Sequence, residues 1–276
     1  MRIDSHQHFW NYSAREYPWI NEKSRIRRDF LPDALERELR PVKVDGSVAV
    51  QARQSVEESR WLLNLADHYP LIKGVVGWVD LRSDRVEEQL IELSKHRRFV
   101  GVRHVVQDEP DDRFVLQKDF LRGIGTLKQF GLVYDILIYP KQLPAAIELA
   151  QRFPNQTFVL DHIAKPTIKD QIKSPWADQM RELAKSPNVF CKVSGMVTEA
   201  KWGAWKQSDF APFLEIVFEA FGTDRLLYGS DWPVCLLSGS YEQVYRLTHD
   251  YVQKHAAKAE AKIFGDNAIR AYRLKA

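Results

Sequence analysis

Ile72-Lys73-Gly74-Val75-Val76-Gly77-Trp78-Val79-Asp80, then Arg85–His96, then Phe99-Val100-Gly101-Val102-Arg103-His104-Val105-Val106 is the stretch whose reading decides the fold. The first and last runs are almost continuously apolar and rich in β-branched residues, as strands are when both faces of a parallel sheet are covered. The segment between them mixes apolar and charged residues at helical spacing. Strand, helix and strand in succession is the signature of an α/β fold.

The same alternation runs outward in both directions. Towards the N-terminus lie Arg2–Ser5, which leads into His6-Gln7-His8, and Gly46–Ala52, followed by a helical pattern over Val56–His68. Towards the C-terminus, helical Phe120–Phe130 is followed by strand Val133–Tyr139 and helix Leu143–Phe153, where Pro144 suits a first helical turn. Three further pairs follow: Thr157–Asp161 with Trp176–Lys185, Val189–Val193 with Phe210–Phe221, and Arg225–Tyr228 with Tyr241–His255. Turn signals such as Phe153-Pro154-Asn155, Ser186-Pro187-Asn188 and Phe221-Gly222-Thr223 stand just before strands. Eight strands in 276 residues predict a closed (β/α)8 TIM barrel, which takes about 250 residues. An open doubly wound sheet stops near about six strands, and no Gly-rich phosphate fingerprint follows any strand. With no linker, repeat or low-complexity tract, residues 1–276 are expected to form a single domain.

Composition narrows the function. Forty basic against 37 acidic residues give a net charge of +3, and the basic clusters Lys23–Arg28 and His96–Arg98 are short and local. A nucleic-acid partner would need a sustained basic stripe, which is missing. No apolar run approaches the ~20 residues of a membrane span, and Met1-Arg2-Ile3-Asp4-Ser5-His6 leaves no room for a signal peptide. A cytoplasmic protein is expected. Cys191 and Cys235 sit in apolar strand-like sequence and read as buried free thiols rather than a disulfide.

In a barrel of this kind, side chains at the C-terminal ends of the strands face the active site. Those ends are markedly polar: His6 and His8; Gln51 and Arg53; Asp80 and Arg82; Arg103 and His104; Asp135 and Tyr139; Asp161, His162 and Lys165; Lys192 and Ser194; and Ser230, Asp231 and Trp232. His6 and His8 are two apart on a strand, with Cα atoms roughly 6.5 Å apart and side chains on one face, so they can converge on one ion or one carbonyl oxygen. Asp4, two residues earlier, is expected on that face too, orienting a ring as an acceptor. Asp231, directly after an apolar strand and ahead of Trp232-Pro233, can take a proton from water and return it to a leaving alkoxide; it reads equally as a turn cap. Of Arg103 and His104 only one can face inward, because strand neighbours point oppositely. Ser194-Gly195 allows close backbone approach to a ligand or a plain tight turn. Trp10, Tyr139, Trp202, Trp205 and Trp232 could wall a pocket for a sugar-like ring.

These segments together resemble the amidohydrolase superfamily, in particular the amidohydrolase-2 branch with its sugar-lactone hydrolases of the fuconolactonase and rhamnonolactonase kind. The resemblance is carried, in order along nearly the whole chain, by Ile3–Trp10, Gly101–His104, Leu160–Pro166, Lys192–Gly195, Tyr228–Pro233 and Ile263–Ala268 with Tyr272. It implies a distorted barrel in which His6, His8, His162 and Asp231 are catalytic and Asp231 activates water. It also implies metal chemistry: one zinc held by His6, His8 and Asp231, with His162 as a further ligand, or the same histidines polarising the carbonyl without metal. The strand-five histidine of full metal sites is missing, since Asp135 and Tyr139 stand there, and a binuclear centre is not expected. The resemblance implies hydrolysis of a small-molecule lactone. Among the polar strand ends, Arg53, Arg103, Lys165 and Lys192 are candidates to contact its hydroxyls or a carboxylate, with His104, Tyr139 and Trp232 as further substrate contacts. Two rival readings are a non-oxidative decarboxylase of an aromatic acid on the same fold and a non-catalytic barrel that binds a sugar acid.

Overall fold

The structure, a computed structural model, describes residues 1–275. Its strands are β1 (Ile3–Gln7), β2 (Gly46–Val50), β3 (Ile72–Gly77), β4 (Phe99–His104), β5 (Val133–Ile136), β6 (Phe158–Leu160), β7 (Val189–Val193) and β8 (Leu226–Tyr228). They form one parallel sheet in sequence order. Around it run α1 (Pro32–Leu39), α2 (Val56–His68), α3 (Val86–Leu93), α4 (Lys118–Leu127), α5 (Leu143–Arg152), α6 (Trp176–Ala184), α7 (Ala211–Phe221), α8 (Tyr241–His255) and α9 (Asn267–Tyr272). This is the (β/α)8 barrel the alternation predicts. Strands β2 to β6 end before their apolar runs do, because those runs continue into the loops at the barrel mouth, whereas β1 extends through Gln7 and β7 and β8 end where expected. No helix among the described residues is long and apolar enough to cross a membrane. Cys191 and Cys235 are both buried and free.

Two apolar layers account for the continuous apolar strands. Ile3, Val48, Val76, Val100, Val133, Val159 and Leu227 fill the barrel interior together with Ala268, Ala271, Tyr272 and Leu274 of the C-terminal segment, which closes the base. The alternate residues, among them Val75, Val102, Tyr134, Leu160, Cys191 and Tyr228, pack outward against the helices. Strict alternation is broken three times: once in β3, where the register against β2 slips by one residue between Ile72 and Gly74, and at two places that aim the site. In β1 the register against β2 slips by one residue between Asp4 and Gln7, and in β4 a slip falls between Phe99 and Gly101. Each extra residue is a bulge that inverts parity, so that Ile3 and His6, and likewise Val100 and Arg103, share the interior face.

The bulge in β1 corrects the expectation for Asp4. Its side chain does not reach a histidine ring; it faces the seam where β1 meets β8. There Oδ1 accepts from the backbone N–H of Ser230 at 2.9 Å and of His6 at 3.1 Å, and Oδ2 accepts from the Tyr241 hydroxyl at 3.0 Å. The two strands share no regular ladder. The seam closes instead through the parallel bridge Gln7–Trp232, with His8 N–H donating to Trp232 O at 2.7 Å and Asp231 N–H to His6 O at 2.8 Å. Burial raises the Asp4 carboxyl to about 6 against the pull of these donors, so part of the bonding offsets desolvation.

Replacing Asp4 by Ala strands three buried donors. A loss of about 3 kcal/mol is expected, seen as a fall of about 6–12 °C in Tm, with Asp4→Asn recovering part of it. An unchanged Tm in a thermal melt of Asp4→Ala would mean that the backbone bridge closes the barrel unaided.

Candidate active site

Above the apolar base the barrel interior turns ionic. Asp161, directly after β6, lies at its centre: Oδ2 accepts from Arg103 Nη1 at 3.1 Å, and Oδ1 lies 2.9 Å from Lys192 Nζ and 3.3 Å from His6 Nδ1. Lys192 also donates to Asp135 Oδ2 at 2.6 Å, and Tyr272 of α9 donates to the same carboxylate at 2.9 Å. Arg103 is held further by Gln51 Oε1 at 2.7 Å and by the Gln51 carbonyl. Two cations and two carboxylates thus balance one another out of water, the condition under which buried charge is tolerated. Burial opposes ionisation of Asp161, yet Lys192, the His6 ring and Arg103 together hold it well below the usual carboxylate range.

The histidines and Asp231 sit over this layer. His6 Nε2 and His8 Nε2 are 3.2 Å apart, and Asp231 Oδ1 is 3.4 Å from His8 Nε2, 3.7 Å from His6 Nε2 and 3.9 Å from His162 Nε2. His8 Nδ1 donates to Val50 O at 2.8 Å, which turns its Nε2 to the cluster. His162 Nδ1 is fixed by the Ser194 hydroxyl at 2.9 Å. Burial pushes His6 well below the ordinary imidazole value; Asp161 pulls against this, and Lys192 and His162 add to it. Burial likewise brings His162 down to about 4, against the attraction of Asp231 and Asp161. Burial opposes ionisation of Asp231, yet His162, His8 and His6 outweigh it and hold the carboxyl well below its usual value. At neutral pH the arrangement is one ionised carboxylate facing neutral His6 and His162.

This backbone is locally strained. His162, Ile163, Ala164 and Lys165 have φ of 55°, 47°, 59° and 49°, and Asp231 has φ of 57°, all in the left-handed region that side chains avoid. Gly195, at φ 60°, is where the space is needed: a Cβ there would stand 2.4 Å from His162 Nδ1.

Whether the residues suit a metal follows from their spacing. Zinc with ligands at about 2.0–2.1 Å in a tetrahedron sets donor atoms about 3.3 Å apart, and the edges of the His6, His8 and Asp231 triangle are 3.2, 3.4 and 3.7 Å. That donor set fits a zinc ion. A second cluster of donor residues, His6, Asp161 and His162, already has cations on it, since Lys192 and Arg103 both engage Asp161.

The remaining expected residues are distributed unevenly. Arg103, not His104, faces inward; His104 stacks on Phe114, donates from Nε2 to Glu109 Oε1 at 2.7 Å, and stays out of the cluster. Lys192 is wholly buried below His6, locked in ion pairs, so its expected contact with substrate hydroxyls is replaced by contact with His6 at 3.1 Å. The Trp232 ring packs edge-on against Phe9 and Phe30 and is 1% exposed, so it is core rather than pocket wall. Arg53 lies on the rim, paired with Glu16 at 2.5 Å. Tyr139 and Lys165 line a cavity of about 500 Å³ at the mouth, with the Lys165 ammonium 5.4 Å over the Tyr139 ring. The sequence places Gln51, Asp135 and Asp161 among the polar strand ends without a role in the site, and Tyr272 enters only through the resemblance. The signal was present: Asp135 and Asp161 stand two residues after Val133 and Val159, hence on the same inward face.

The sequence profile of the amidohydrolase family matches residues 3–274. An L-fucono-1,5-lactonase of Burkholderia multivorans is 41% identical, over 99% of this chain and 96% of its own. An L-fucono-1,5-lactonase of Burkholderia ambifaria is 36% identical, again over 99% and 96%. A crystal structure of an amidohydrolase from Burkholderia multivorans with bound zinc superposes with a TM-score of 0.95 at 40% identity, covering 100% of both chains.

One buried acid beside the site has a measurable pH signature. Glu58, on α2, accepts from the backbone N–H groups of Ala52 and Arg53 at 3.0 Å each and from the Tyr17 hydroxyl at 3.3 Å. Burial, against those bonds, raises its carboxyl to about 7. A folded-state value above the unfolded one means that the folded chain holds the proton longer. The stability this contributes is therefore present at low pH and lost as the pH rises through 7. Glu58→Gln, which keeps the acceptor without the charge, should gain about 3 kcal/mol relative to the parent between pH 5 and pH 8. Urea denaturation at both pH values measures this; a stability difference that stays constant refutes the assignment.

Proposed function

We propose that this chain, which belongs to the amidohydrolase family, hydrolyses sugar lactones at the barrel mouth, with Asp231 as the base. The observation that carries the reading is the convergence of three imidazole Nε2 atoms on Asp231 Oδ1, at 3.4, 3.7 and 3.9 Å, in a chain 41% identical to an L-fucono-1,5-lactonase over nearly its full length.

The ionised Asp231 carboxylate accepts a proton from water as the water oxygen bonds to the lactone carbonyl carbon. The ring C–O bond then breaks, and Asp231 returns the proton to the ring oxygen, giving the open hydroxy acid. Fixed positive charge beside developing oxyanion is the largest catalytic term in such reactions. Arg103 supplies it here, 3.3 Å from His6 Nε2 and held by Asp161 and Gln51 so that no reorganisation is needed. Ser194 and Val50 hold the rings of His162 and His8 in one orientation. His6, His8 and Asp231, with His162, would hold a single zinc ion, which when bound polarises a carbonyl and acidifies a water.

The test is hydrolysis of L-fucono-1,5-lactone and L-rhamnono-γ-lactone, with and without chelator. Turnover is expected, and Asp231→Asn is expected to lower kcat by about 10²–10⁴-fold. Loss of activity with chelator, restored by zinc, supports the metal; full activity with chelator assigns carbonyl polarisation to the histidines and Arg103. Near-parental turnover by Asp231→Asn, or carbon dioxide release from a hydroxybenzoate with no lactone opening, defeats the proposal.

A further inference from the structure

We propose that Glu199 is the residue that recognises the hydroxyl groups of the substrate ring, and that the mouth therefore takes neutral, polyhydroxylated lactones in preference to carboxylated ones. This rests on the lactonase reading above.

The mouth cavity of about 500 Å³ is formed by the loops after β5, β6 and β7, with Tyr139, Lys165, Thr198, Glu199 and Trp202 on its wall. That volume falls within the range of about 300–1,000 Å³ that small-molecule sites occupy. Glu199 is fixed there by its backbone: its N–H donates to Met196 O at 3.1 Å, and its carbonyl accepts from Lys169 N–H at 2.9 Å. Its side chain is half-buried. The buried carboxylates Asp4, Glu58, Asp135, Asp161 and Asp231 all have hydrogen-bonding or ionic partners. Among the described residues the Glu199 carboxylate has none. Burial raises it, Lys165 opposes and Asp231 adds to the rise; the cavity is tied to the cluster through its loops, since Lys165 follows His162 by three residues and Glu199 follows Ser194, which fixes His162 Nδ1 at 2.9 Å, by five.

Its neighbours supply the rest of a sugar site. Trp202 is 56% exposed, unusual for so large an apolar ring. Its Nε1–H is tied to Thr198 O at 2.8 Å, so the ring is held rather than loose. It also borders a second cavity of about 830 Å³ lined by Arg25, Arg28 and Trp205. A carboxylate accepts from two neighbouring hydroxyls, an ammonium donates to a hydroxyl oxygen, and an aromatic face packs on the C–H face of the ring. An unpartnered carboxylate so placed is satisfied by hydroxyl donors, whereas a carboxylated ligand would meet the like charges of Glu199 and Asp231 together. Lys165, Lys169 and Lys201 on the same wall are the counterweight, since they would draw an anion.

The experiment compares kcat/KM of the parent chain and Glu199→Gln on L-fucono-1,5-lactone, on the hydroxyl-free δ-valerolactone and on 2-pyrone-4,6-dicarboxylate. The parent should prefer the fuconolactone to the dicarboxylate. In Glu199→Gln the preference for fuconolactone over δ-valerolactone should fall about 10–100-fold, the size expected for charged hydrogen bonds, and chiefly through KM. An unchanged preference, an equal loss on both lactones, or a parent that favours the dicarboxylate overturns the assignment of Glu199. Failure of the parent to open any lactone overturns the lactonase reading itself, and this inference with it.

Discussion

The extra residue in β1 is the constraint on which the rest of the site depends. Without it, Ile3 and Ser5 would share the interior and His6 would face the helices. With it, Ile3 seats in the apolar base and His6 stands in the ionic layer above. The same inversion sends Asp4 outward to hold Ser230 N–H and Tyr241. Once Ser230 is held, the backbone of Asp231 and Trp232 falls into register with His6 and His8. The proposed base and the first two histidines are therefore placed by one closure event, and geometry between them does not depend on loop packing elsewhere.

Beneath that seam, the ionic layer explains why the histidines need not carry charge. Asp161 and Asp135 neutralise Arg103 and Lys192 within hydrogen-bond distance. Lys192 reaches His6 Nδ1 from below while Arg103 reaches Nε2 from the side. A third positive charge on His6 would be repelled by both, which agrees with its lowered value. Arg103 is thus a permanent cation next to a ring that stays neutral. Tyr272 joins this layer from α9, so the segment that seals the barrel base also sets the orientation of Asp135.

Much of the architecture was legible because apolar runs and helical spacing report burial directly. Helices Val56–His68 and Tyr241–His255 match their sequence limits to the residue, the first capped by Ser55 and the second by Ser240. Helices α1 and α9 left no comparable mark: the residue before α1 is Leu31, with no capping side chain, and α9 continues from a preceding turn without a stop. Parity arguments worked where the strand is regular, as for Arg103 and His104, which face opposite ways. They failed at Asp4, where a bulge intervened that no residue type advertised. Proximity to a strand end was also a weaker guide than direction: His104, Trp232 and Lys192 are all at strand ends, yet one faces the helices, one is core and one lies below the site.

The loops after β6 and β8 show why the final aim of the proposed catalytic groups could not be read from composition. Left-handed backbone is normally announced by glycine, and Gly195 does so. His162, Ile163, Ala164, Lys165 and Asp231 adopt it with full side chains, and a β-branched Ile163 at positive φ is costly, on the order of 1–3 kcal/mol. Such strain persists only where the surroundings over-determine it. Here Trp176 Nε1 holds Ile163 O at 2.8 Å, Ser194 holds the His162 ring, and the seam holds Asp231. Relaxing either loop to ordinary backbone would swing His162 or Asp231 out of the barrel mouth. The stored strain is therefore tied to the one geometric requirement of the proposed chemistry, that a carboxylate from the last strand and an imidazole from the sixth meet over the same point.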